Sequence, residues 1–151
     1  MYRDGDFIKD DNDIDLAVFA GDLEEINKYV KDLENILQIK KLNFGKLLGS
    51  VRIYAKYIID LIVLYKYENK YYFIKGYDEE TKEYLAKEFD EKYFDNQMNL
   101  IYDNKCYKVP LDIEEYLTHL YGNWREKKPA GTSNLVDLVR VNFEKKLLED
   151  R

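Results

Sequence analysis

Residues Asp11 to Phe19 read D-N-D-I-D-L-A-V-F, an alternation of acids that runs straight into apolar residues. Side chains of a β-strand alternate faces with a period of two. A strand starting near Asp13 therefore sets Asp13 and Asp15 on one face and Ile14 and Leu16 on the other. Two carboxylates about 7 Å apart at the Cα level, on a rigid strand, can hold a hard cation together. Magnesium prefers oxygen ligands, keeps some of its water and borrows further ligands from substrate phosphates, as in metal-assisted phosphoryl and nucleotidyl transfer. The competing reading is a solvated turn before a helix, because Asp and Glu make up 30 of the 151 residues and charge runs usually mark surface. The apolar run that follows argues instead for a strand entering a core. An EF-hand calcium loop is excluded. With Asp11, Asp13 and Asp15 as its first ligands, that loop needs Gly and Glu where this chain has Leu16 and Asp22.

The pattern further along alternates helix and strand signals. Residues 22–38 fit an amphipathic helix, with Leu23, Ile26, Val30, Leu33 and Leu37 at three- and four-residue spacings and Asp22 as a possible N-cap. Residues 39–65 are rich in Ile, Val, Leu and Tyr and interrupted at Gly45 and Gly49, which predicts strands over 40–47, 50–56 and 58–66 and another over 71–74. Residues 79–93 predict a helix with Tyr84, Leu85, Phe89 and Tyr93 towards the core. Residues 99–102 and 106–109 predict a hairpin about Asp103-Asn104. Asp112 is placed to cap a helix with Glu115 as its capping-box partner, and Gly122 to stop it. Tyr116, Leu117, Leu120 and Tyr121 would form its buried stripe. A last helix is expected after Ser133, with a Lys-rich end. This order suggests an α/β domain with a mixed sheet and helices packed against it.

The wider N-terminal segment is more specific. Arg3-Asp4-Gly5-Asp6-Phe7-Ile8-Lys9-Asp10-Asp11-Asn12-Asp13-Ile14-Asp15-Leu16 resembles the signature R-x-G-G-F-I-P-W-D-D-D-I-D-I of the LicD family, which includes bacterial phosphocholine transferases, fukutin and fukutin-related protein. Arg3, Gly5, Phe7, Ile8, Asp11, Asp13, Ile14 and Asp15 match, whereas Asp6 replaces the second Gly and Lys9-Asp10 replace Pro-Trp. Downstream, Val109-Pro110, Glu115-Tyr116-Leu117 and Leu120-Tyr121-Gly122-Asn123-Trp124 resemble the family's closing V-P-x-x-x-E-x-Y-L-x-x-x-Y-G-x-W.

The resemblance implies a single nucleotidyltransferase-like domain over residues 1–151, an α/β (α+β) fold with a mixed β-sheet and helices packed against it. It implies a transferase moving a phosphocholine- or phosphoribitol-like substituent from a CDP-linked donor to a glycan hydroxyl, with Mg²⁺ or Mn²⁺ as cofactor. Arg3, Gly5, Lys9 and Asp11 are assigned to the substrate, and Asp13 and Asp15 to the metal and the chemistry. Sites of this kind use a third carboxylate on a neighbouring strand. Asp60, alone within Tyr57-Ile58-Ile59-Asp60-Leu61-Ile62-Val63-Leu64, is the candidate. An ionised aspartate among apolar neighbours is costly unless paired, hydrogen-bonded or metal-bound. An edge-strand aspartate facing water is the alternative. As the third metal ligand, Asp60 would also accept the proton of an attacking hydroxyl.

The family carries a helix and a phosphate-holding G-T-L-L-G-type segment before the Arg-x-Gly-Gly stretch. Met1 stands two residues before Arg3, so both are expected to be lacking, as in a minimal version, a fragment with a misplaced start or a degenerate relative. Lys46-Leu47-Leu48-Gly49-Ser50-Val51-Arg52 has only a superficial likeness, after the acidic strand rather than before it. Two further functions stay open: a minimal nucleotidyltransferase acting on a protein or small molecule, and a non-catalytic relative.

Composition narrows the setting. The length suits one domain with a real core. No apolar run approaches the roughly 18 residues of a membrane span and the N-terminus is polar, so a cytoplasmic protein is expected. The net charge of −6 disfavours nucleic acid as a partner. Cys106 is alone and His119 is the only histidine, which excludes an internal disulfide, cysteine- or histidine-based zinc sites and HExxH chemistry. His119 and Trp124-Arg125 are read as packing residues. Ser50 and Ser133 lie in no nucleophile motif, and neither a P-loop nor a Rossmann glycine pattern occurs.

Overall fold

The computed structural model describes residues 13–126 and 137–143. The elements are β1 (Asp13–Phe19), a 3₁₀ turn (Ala20–Asp22), α1 (Leu23–Leu33), β2 (Gln38–Phe44), β3 (Leu47–Tyr54), β4 (Ile58–Tyr67) and β5 (Lys70–Asp78). They continue with β6 (Glu83–Asp90), α2 (Lys92–Asp95), β7 (Gln97–Tyr102), β8 (Lys105–Pro110), α3 (Ile113–Tyr121) and β9 (Leu138–Val141). The protein is mixed α+β and dominated by strands. Its described residues divide into two compact units, those within 1–88 and 138–151 and those within 89–137. No described helix is long and apolar enough to cross a membrane.

The first unit is built on one curled sheet in the order β2-β3-β4-β5-β6-β9, with β1 paired to β4. That β1–β4 pair is parallel, whereas β2–β3, β3–β4, β4–β5 and β6–β9 are antiparallel. Residues 58–62 of β4 pair with both β1 and β3, so this stretch has a neighbour on each edge. The predicted apolar stripe of α1 exists. Ile26, Val30, Leu33 and the following Leu37 pack with Val51 and Ile53 of β3 and Ile59 and Leu61 of β4. By strand alternation, the residues between these, Ser50, Arg52, Ile58, Asp60 and Ile62, lie on the face away from the helix.

A second core gathers Val63, Tyr65, Tyr72, Ile74, Tyr84, Ala86, Val141 and Phe143. Gly49 lets the sheet close on itself. A Cβ there would lie 2.7 Å from the Phe44 ring, closer than packed atoms allow, and a tight 3.2 Å from the Ile74 carbonyl oxygen. The Tyr65 hydroxyl locks the same region, accepting from the Leu48 N–H at 3.1 Å and donating to the Leu48 carbonyl at 3.0 Å.

Two predicted helices are strands. Within the stretch read as a helix over 79–93, Glu83–Asp90 is β6 and only Lys92–Asp95 is helical. The Asp78 carboxylate accepts the N–H groups of Glu80 and Thr81 at 3.0 and 3.2 Å, making a tight turn of the residues that would have started the helix. Within the stretch expected to be a helix after Ser133, Leu138–Val141 is instead β9, which pairs Tyr84 with Val141 and Ala86 with Val139. Its Lys-rich end lies outside the described residues.

Asp78 also receives Arg140 of β9 at 3.1 Å. The Thr81 N–H, then Arg140 and the Glu80 N–H, hold its carboxyl below the usual aspartate range. A depressed carboxyl contributes stability that is present above its unfolded value and lost as pH falls through the folded one. The protection of the β6–β9 amides against hydrogen exchange, measured relative to their intrinsic exchange rates, should therefore fall as the solution is acidified below about pH 4, and Asp78→Asn should remove that pH dependence. An unchanged acid profile in the variant would show that Asp78 does not secure β9.

The second unit carries the predicted hairpin as β7–β8, with Asp103 and Asn104 at φ 48° and 58° in its two-residue turn. α3 is present and stops at Gly122, whose φ is 68°. Its expected cap is not. Asp112 makes no side-chain cap bond, and Glu115 instead accepts from Lys92 Nζ at 2.7 Å and the Tyr93 hydroxyl at 3.2 Å. The expected buried stripe is only half-buried, and Tyr121 is exposed. The rings of Tyr116 and the exposed His119 lie against those of Phe89 and Tyr93. Trp124 Nε1 donates to Thr118 Oγ1 and Arg125 lies over the Trp124 ring, which fastens the helix end.

Candidate functional site

Strand pairing on the face away from α1 sets up one continuous row. Lys40 of β2 stands opposite Arg52 of β3, Arg52 opposite Asp60 of β4, and Asp60 opposite Asp15 of β1. Two cationic residues thus meet two carboxylates side by side across four strands. Asp13 shares the face of Asp15 and stands one row away, opposite Ile58. Lys75 of β5 joins from beyond the row. Asp15, Ser50, Arg52, Asp60 and Lys75 line a cleft of about 240 Å³ whose apolar wall includes Phe44, Ile62 and Phe73. Small-molecule pockets commonly run to about 300–1,000 Å³, so this cleft suits an ion and a phosphate-sized group better than a whole nucleotide.

Asp60 is 7% exposed, and its charge is met by a fork. Arg52 Nε donates to one carboxylate oxygen at 2.8 Å and Arg52 Nη2 to the other at 2.5 Å. That hydrogen bond, together with the charge of Asp60, raises the already high pKa of Arg52. The two side chains are unequally covered, 10% exposed for Asp60 and 44% for Arg52. Lys75 is exposed as a residue, but its ammonium sits 4.0 Å from the centre of the Phe73 ring. Loss of water around that end lowers its pKa, against the opposing pull of Asp15 and then Asp60.

Asp13 and Asp15 thus share a strand and a face, and Asp60 lies on the neighbouring strand beside Asp15. Arg3, Gly5, Lys9 and Asp11 lie outside the described residues. Arg52 and Lys75 are cleft residues that the sequence reading did not single out. The donor chemistry suits a hard cation in two of its three parts. Asp15 and Asp60 are adjacent oxygen donors, and Asp60 already accepts one cation in the form of a guanidinium. The third part does not assemble: among the described residues no three of His, Cys, Asp and Glu form a group able to hold a metal ion. A metal at Asp60 must compete with Arg52.

No protein-family model matches the chain, and no curated protein matches it either. The likeness to the LicD family therefore rests on the two motifs alone.

Proposed function

We propose that this chain is a metal-dependent transferase that moves a phosphocholine- or phosphoribitol-like substituent from a CDP-linked donor to a glycan hydroxyl. The observation that supports it most is Asp15 opposite Asp60 on adjacent parallel strands, lining one cleft with Arg52 and Lys75. Asp15 and Asp60 would hold Mg²⁺ or Mn²⁺, with water and substrate phosphate supplying the remaining ligands. When bound, the cation supplies neutralisation of a diphosphate. Arg52 and Lys75 present cationic donors to phosphate oxygens, a forked guanidinium being well matched to them. Asp60 would take the proton of an acceptor hydroxyl. Phe44 and Phe73 line the same cleft. A nucleotidyltransferase-like fold and a cytoplasmic setting belong to the same reading.

The test is CMP release from CDP-choline or CDP-ribitol with and without Mg²⁺ or Mn²⁺. Release should require the metal. Asp15→Asn should reduce it by at least about 100-fold, as for removal of a key charge-stabilising group, while leaving the apo melting temperature nearly unchanged. Pyrophosphate release from ATP in place of CMP release would move the assignment to a nucleotidyltransferase. One observation favours a non-catalytic relative: Arg52 engages both oxygens of Asp60. An intact fold that binds neither Mg²⁺ nor Mn²⁺ in calorimetry would establish that reading and overturn the first.

A further inference from the structure

Among the described residues, three strands of the first unit's sheet are paired along one edge only: β2, β9 and β1. Two of them carry features that discourage a further strand. β2 holds Lys40 and Lys41 and has a register shift between Leu42 and Asn43. β9 is four residues long and carries Arg140. β1 is different. It has no lysine, proline or glycine, and its register with β4 runs unbroken through seven pairs. Leu64 of β4 stands opposite both Phe19 of β1 and Phe73 of β5, and residues 58–62 stand opposite both β1 and β3. β3 and β5 therefore share one edge of β4, and β1 forms a border of the sheet beyond the other.

Apolar surface continues beside that border on the face that carries α1. Leu16 stands opposite Leu61, which packs under α1, and is 42% exposed. Tyr29 and Ile36 are 63% and 75% exposed. The helical turns run on to Leu37, whose N–H donates to the Leu33 carbonyl at 2.8 Å. At about 100° per residue, Tyr29 and Ile36 fall on one flank of the buried stripe and Glu34 on the other. Glu34 Oε1 lies 3.7 Å from Lys41 Nζ, so its flank is turned to β2. The flank of Tyr29 and Ile36 is thus turned towards β1.

We propose that a second copy of this chain docks on the border of β1, strand against strand, in antiparallel register about Leu16. A twofold axis there sets Leu16 against its own copy, Asp15 against Ala17 and Ile14 against Val18, so no two carboxylates stand directly opposite. A basic partner strand is not required, because Lys75 of the same chain lines the cleft with Asp15. The contact uses one patch twice and joins the two sheets into one. It goes beyond the transferase reading and does not depend on it. One strand edge with a few apolar side chains is small for an interface, so the dissociation constant is expected on the order of 10 µM.

Sedimentation equilibrium of the full chain tests it, at concentrations from tenfold below to tenfold above that value. The mass should rise from one copy to two. In Leu16→Lys two ammonium groups meet on the axis in place of two leucines, and association should weaken by at least about tenfold. A monomer at the highest concentration overturns the proposal, and slow exchange of the β1 amides in that monomer would give the border to a segment of the same chain. A dimer that Leu16→Lys leaves unweakened also overturns it, by placing the interface elsewhere.

Should Leu16→Lys fail to fold, crosslinking decides. Leu16→Cys is combined with Cys106→Ser, which removes the chain's own exposed thiol. Directly opposite Cα atoms of an antiparallel pair are about 4.5–5.5 Å apart, within reach of a disulfide, so mild oxidation should give covalent dimers. Ala17→Cys in the same background places the two thiols diagonally, with Cα atoms about 7–8 Å apart, and should crosslink far more slowly. Equal rates, or no dimer from Leu16→Cys, overturn the proposal.

Discussion

Replacing Tyr84 with alanine should cost the fold about 3–5 kcal/mol, seen as a large fall in the urea midpoint. Tyr84 is 1% exposed and heads the largest fully buried side chains of the first unit. Its ring lies 4.7 Å from that of Tyr77 and 5.6 Å from that of Phe143, centre to centre. The phenol also reaches across the sheet, accepting the Lys46 N–H at 3.3 Å. Alanine would remove the ring contacts and leave a cavity beside Tyr77 and Phe143, which a close-packed interior fills only in part. Tyr84→Phe isolates the hydroxyl and should cost only about 1 kcal/mol. Domains of this size are stable by about 5–15 kcal/mol, so the alanine variant gives up a large share of that margin. A loss below about 1 kcal/mol for Tyr84→Ala would place this side chain outside the core.

Tyr84 also shows where sequence pattern stops being informative. Tyr84, Leu85 and Phe89 have spacings compatible with one helix face. Burial in the structure falls on Tyr84, Ala86, Lys87 and Phe89, the alternation of a strand with one shift. A period-two pattern hidden by a buried lysine and a small alanine is hard to recognise, and the partner that stabilises it, β9, lies more than fifty residues away. Such long-range pairing leaves no local trace. α1 and the β7–β8 hairpin were legible because their signals are local: a sustained apolar stripe in one, two adjacent turn-forming residues in the other. The end of α3 was legible at Gly122 for the same reason. Its cap was not, because Lys92 and Tyr93 compete for Glu115 from another element.

The site was legible in part for similar reasons. The alternation of Asp13 and Asp15 before an apolar run places both acids on one strand face, and the solitary Asp60 among apolar residues marks a buried charge. Arg52 was missed by a small error in the turn. Strands drawn over 50–56 and 58–66 leave one residue between them and pair Tyr54 with Asp60. The observed three-residue turn pairs Arg52 with Asp60. Moving a register by two residues keeps every side chain on its face but changes each neighbour, which is enough to hide an ion pair. Lys75 was missed because β5 runs past the predicted end at residue 74, to Asp78.

The two ends of that ion pair should respond unequally to removal. Arg52→Ala should cost about 2–4 kcal/mol, because it strips a carboxylate that is only 10% exposed of both hydrogen-bond donors. The figure sits below that of a fully buried pair because the arginine itself is half-exposed and already shares water. Asp60→Asn should cost only about 1 kcal/mol. The freed guanidinium can turn to solvent, and an amide of nearly the same shape fills the site on β4. Neither loss measures what the pair contributes, since each includes the fate of the residue left behind. Urea midpoints of the two single variants and the double variant separate these parts. The double variant should recover most of what Arg52→Ala loses, because it no longer buries an unpaired charge. A greater loss from Asp60→Asn than from Arg52→Ala would reverse the assignment of the buried member.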